Sequence, residues 1–121
     1  MKATTELLQL LSEIGYMACF KGDIQRAKVI MDGVDAAGQE QTPIKMGLAI
    51  TRIYSGEYDT AIDILRNQIL VSEPNHMSAK CFLGIALNQV GQQSEAQQLF
   101  REVSANGNAD EQSIANAYLN Q

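Results

Sequence analysis

Three short segments repeat along the chain and constrain its fold more than any other feature. They are Gly22-Asp23-Ile24-Gln25-Arg26-Ala27, Gly56-Glu57-Tyr58-Asp59-Thr60-Ala61 and Gly91-Gln92-Gln93-Ser94-Glu95-Ala96, each a glycine, four residues and an alanine. The glycines recur at roughly 34-residue spacing. A glycine ends a helix at little steric cost because it takes the left-handed backbone conformation. The alanine then falls in the first turn of the next helix, where a larger side chain would push two antiparallel axes apart. A second small residue is expected seven positions before each glycine for the same reason. Gly15, Ala49 and Gly84 stand there, each preceded by a large aliphatic, Ile14, Leu48 or Leu83. Four residues after each alanine comes Met31, Leu65 or Phe100.

This pattern resembles the tetratricopeptide repeat, a helix–turn–helix unit of about 34 residues. The resemblance implies an all-α fold: three helix pairs in a right-handed stack, at about 8–41, 42–76 and 77–109, and a capping helix at 110–121. It lacks the family's usual first-helix Trp and Tyr, and the inter-repeat proline appears once, as Pro74. Helices are expected near 5–21, 24–37, 43–55, 58–72, 76–90, 93–105 and 111–120. Thr42, Asn75 and Asp110 are the expected N-caps, with Pro43 at the first helical position. The last helix, with Ile114, Ala117, Tyr118 and Leu119, is expected to cover the open end of the stack.

In such a stack the first helix of each pair lines the concave face. The register predicts an apolar groove there, formed by Tyr16, Phe20, Met46, Gly47, Ile50, Ile53, Tyr54, Cys81, Phe82 and Ile85. A helical apolar stripe is often simply core. Here a separate set, Leu7, Leu11, Ile14, Ile30, Leu48, Ile62, Leu65, Ile69, Leu83, Leu87 and Leu99, is expected to serve the core, so the stripe is read as a surface too large for a monomer to leave unused. Such a groove suits the amphipathic helix of a partner. Lys45 and Lys80 fall one position off the face, which argues against a clamp for a peptide carboxylate.

The remaining residues point away from catalysis. Net charge is -5 and the nine Lys and Arg are scattered, so no basic face is offered to nucleic acid. The apolar stretch at Leu7, Leu8, Leu10 and Leu11 is too short and too polar for a signal or a membrane span. Cys19 and Cys81 have no ligand residues beside them, which disfavours a disulfide or a metal site. They read as small groove-lining residues in a reducing cytoplasm. His76, the only histidine, reads as a solvated residue beside a turn. No phosphate-binding glycine loop and no nucleophile–base set is present, and no cofactor is expected.

In length and layout the chain is similar to the small tetratricopeptide chaperones of bacterial type III secretion, most to those that hold the needle subunit. Gly56-Glu57-Tyr58-Asp59-Thr60-Ala61, Ala79-Lys80-Cys81-Phe82-Leu83-Gly84 and the tail from Asp110 carry that likeness. The resemblance implies a bacterial cytoplasmic chaperone that wraps the C-terminal amphipathic helix of a needle protein and stops it polymerising. It also implies a second small helical co-chaperone, for which Leu7, Leu8 and Leu10 on the first helix are the expected contact. A chaperone for the export gate or the translocators, and a structural scaffold with no secreted client, are the alternatives.

Overall fold

The computed structural model describes residues 41–120, and these form five α-helices and one π-helical stretch, with no strand among the described residues. Helix α1 spans Thr42–Tyr54, and α2 spans Tyr58–Asp63 and runs on as a π-helical segment, Ile64–Ile69. Helices α3, α4 and α5 span Met77–Gln89, Gln93–Asn106 and Ala109–Leu119. Each packs on the helix before it, α1 also touches α3, and α5 touches both α3 and α4. The chain is all-α. The first expected repeat, and with it Leu7, Leu8, Leu10, Tyr16, Cys19 and Phe20, lies outside the described residues, apart from Gln41.

The repeat signature has a direct physical reading. Gly56 and Gly91 have φ of +80° and +86°, and no other described residue has a positive φ. Both turns therefore use the left-handed conformation that glycine adopts most cheaply. Ala61 and Ala96, five residues on, are buried. So are Leu48, Leu83, Ala49, Leu65 and Phe100 at the other matched positions. In α3 and α4 the matched positions meet: a Cβ on Gly84 would lie 2.8 Å from Cε1 of Phe100. The small residue in one helix and the large one in the next are two halves of one contact.

The helix starts differ from expectation. Gln41, not Thr42, is the N-cap of α1, and the Thr42 hydroxyl donates to Glu73 instead. His76, not Asn75, caps α3, its Nδ1 accepting from the Ala79 amide at 3.0 Å. His76 is half-buried rather than freely solvated. Asn108, not Asp110, caps α5 in a full capping box: its side chain accepts from Glu111 N at 2.8 Å, and its own amide donates to Glu111 at 2.9 Å. At α3 and α5 the capping acceptor belongs to a residue whose backbone is extended, whereas Gln41 at α1 makes no side-chain cap hydrogen bond.

The π-helical segment was not expected. Leu70 N donates to Leu65 O, five residues back, at 2.9 Å. The wide turn keeps Ile64, Leu65 and Ile69 all buried.

A candidate partner-binding pocket

Four of the expected groove residues come together. Ile53 and Tyr54 from the last turn of α1, and Phe82 and Ile85 from α3, line a cavity of about 300 Å³. Tyr58, Gln89 and Tyr118 complete its described wall. Phe82, Ile85 and Gln89 are spaced i, i+3 and i+7, so they form one stripe of α3. Tyr54 and Tyr58 flank the turn at residues 55–57. That turn is held by the Ser55 hydroxyl, which donates to Glu57 Oε2 at 2.8 Å and has Thr51 O as an alternative acceptor at 3.0 Å. Arg52 adds an ion pair to Glu57 at 3.4 Å.

Tyr118 reaches the pocket from the last helix. Its ring stacks on Phe100, with centroids 4.7 Å apart and planes 10° apart. Phe100 is in turn seated against Gly84. A chain of contacts, Gly84 to Phe100 to Tyr118, therefore sets one wall of the pocket. Burial, followed by the neighbouring Cys81, Tyr54 and Tyr58, raises the Tyr118 phenol above its ordinary 10.0. All three tyrosines line the one pocket.

The other expected groove residues among those described, Met46, Gly47, Ile50 and Cys81, are core, and the reading of them as groove is corrected. Ile50 is 0% exposed, Met46 4% and Cys81 1%, and Gly47 is buried with them. Thr51 is buried too, its hydroxyl donating to Gly47 O at 2.8 Å. The apolar positions of α1 therefore cover more than one side of the helix, and the stripe that contained Ile50 points inward. Cys81 is no candidate nucleophile: burial first, then Glu111, pushes its thiol up to about 11, so it stays protonated near neutral pH. Lys80 is committed to an ion pair with Glu102 at 2.5 Å, which agrees with its place at the edge between helices.

Two wall residues fell outside the expected set. Tyr118 was assigned to the cap, and Tyr58 lay in the repeat signature itself. The only hint in the sequence was aromatic density, with five of the seven aromatic residues at or after Tyr54. All five lie in the pocket wall or stack on it. The described residues hold no cluster of side chains suited to a metal ion, and no helix among them is long and apolar enough to cross a membrane. No protein-family model matches the chain, and no curated protein matches it in sequence.

Proposed function

We propose that the chain is a binding protein that holds an amphipathic helix of another protein, with the pocket as its anchor point. The observation that supports this is the placement of Phe82, Ile85, Ile53 and Tyr54, from two successive first helices of the repeat, around one open cavity. Helix-in-groove recognition needs such a receptor for anchors spaced along one helical face. Tyr54 remains 41% exposed, so the cavity wall it belongs to is reachable from outside. Buried Cys81 offers no thiolate, which favours binding over catalysis.

The repeat signature, the segment from Ala79 to Gly84 and the tail from Asp110 support a finer reading. In it the chain is a bacterial cytoplasmic chaperone of type III secretion, its client the needle subunit, with a co-chaperone on Leu7, Leu8 and Leu10. An export-gate or translocator chaperone is the neighbouring possibility. One observation favours a scaffold with no secreted client. The burial of Met46, Ile50 and Cys81 leaves a compact pocket rather than a groove crossing every repeat.

Co-expression with a needle subunit separates these readings. The chaperone reading expects a soluble complex on size exclusion, lost in Phe82→Asp while the circular dichroism of the chain is unchanged. A needle subunit that polymerises or precipitates regardless of the chain rejects it. Survival of the complex in Phe82→Asp rejects the pocket as its anchor.

A further inference from the structure

The described wall of the pocket is aromatic to an unusual degree: Tyr54, Tyr58, Phe82 and Tyr118 contribute four rings, and Gln89 a carboxamide. No lysine or arginine is among the described lining residues. Among the described residues, the Tyr58 and Tyr118 hydroxyls and the Gln89 carboxamide make no hydrogen bond with the protein. A plain aliphatic anchor would fill the space but leave those polar tips facing carbon, which is costly once water is excluded. A side chain with an apolar stem and a donor-only cationic head meets both demands. Its methylenes lie along Ile53 and Ile85, and its head meets phenol oxygens, the amide oxygen and aromatic rings.

We propose that the pocket receives a lysine or arginine side chain of the partner helix, held by aromatic and phenolic contacts without a carboxylate. The inference rests on the helix-binding reading above and adds the chemistry of the anchor. Charge complementarity carries it: the chain has a net charge of -5, and the lining described has rings and acceptor oxygens but no cation. At about 300 Å³ the cavity is at the small end for binding pockets, a size for one long side chain rather than a whole helix turn.

The test uses the full chain and three compounds in nuclear magnetic resonance titrations. They are the N-acetyl methylamides of lysine, of arginine, and of 2-aminoheptanoic acid, whose side chain carries a methyl group in place of the lysine ammonium. The lysine or arginine compound is expected to shift the ring signals of Tyr58, Phe82 and Tyr118 saturably. It is expected to bind roughly tenfold more tightly than the neutral compound, within the range of a partly desolvated cation–π contact. Phe82→Leu and Tyr58→Leu, which keep apolar bulk at half-buried positions, are each expected to abolish that preference. Equal or tighter binding of the neutral compound overturns the proposal and leaves the helix-binding reading standing with an aliphatic anchor. A cation preference that survives both leucine variants, or no saturable shift with either cation, also overturns it. Failure of the needle-subunit complex with the cation preference intact would instead count against the choice of client.

Discussion

The ring of Phe100 occupies the space that a side chain at Gly84 would need: a Cβ there would lie 2.8 Å from Cε1 and 2.9 Å from Cζ. Phe100 is 1% exposed and its ring is stacked with Tyr118, so it has little room to retreat. Glycine to alanine inside a helix normally stabilises by about 1 kcal/mol. Here the overpacking cost, on the order of 1–3 kcal/mol, works against that gain. Gly84→Ala is therefore expected to lower the urea midpoint, with the m-value unchanged. A stabilised variant would show that the α3–α4 contact is looser than the geometry implies.

Ile50 and Phe82 lie on the two sides of the corrected assignment. Ile50 is fully buried, and an aspartate there faces apolar neighbours with no partner. Ile50→Asp is expected to unfold the chain, as Leu65→Asp should at a second fully buried position, with losses above about 4 kcal/mol. Phe82→Asp, at a half-buried position on the pocket wall, is expected to keep its helical circular dichroism and to cost less than about 2 kcal/mol. A folded, cooperative Ile50→Asp protein would restore Ile50 to the surface.

The capping box at the start of α5 is expected to matter more than its exposure suggests. Helix α5 fully buries only Ala115, so its docking rests on half-buried Ile114, Tyr118 and Leu119 and on its own helical stability. Asn108→Ala removes the acceptor for Glu111 N and is expected to cost about 1 kcal/mol. Amide exchange should become faster in α5 before it does in α3. Uniform loss of protection across both helices would mean that α5 does not open on its own.

Stability should fall at alkaline pH. The Cys81 thiol has its folded pKa raised from 9.0 to about 11 by burial and Glu111. Between those values the unfolded chain loses its proton first and the folded chain keeps it. The slope of unfolding free energy against pH is then negative. Any contribution from Tyr118, also raised, has the same sign. Urea melts at pH 8 and at pH 10.5 are expected to show the loss. Cys81→Ala is expected to be less stable at pH 8, because it empties part of the core, and to decline less steeply above pH 9. Alkylation at Cys81, followed by peptide mapping, should stay slow at pH 8. Rapid labelling there in the folded protein would contradict its burial.

What the sequence determined by itself was local. The glycines at 56 and 91 had to end helices because only they take a positive φ cheaply, and the matched small and large residues had to meet where two helices cross. Those consequences follow from backbone sterics and side-chain size within one repeat. The caps were legible only as a choice among neighbours. Asn75 and His76, or Asn108 and Asp110, offer equivalent acceptors until the backbone angle selects one. The pocket was half legible: periodicity put Ile53, Tyr54, Phe82 and Ile85 on one face. It could not separate them from Met46, Ile50 and Cys81, because an apolar stripe records that a side is covered and not what covers it. The tertiary structure decided that. Burial of Ile50 and Cys81 depends on how closely the helices approach, which no spacing along the chain encodes. Tyr118 enters the wall only because α5 folds back onto Phe100, a contact between residues 18 positions apart whose ring stacking is set by helices packed against each other.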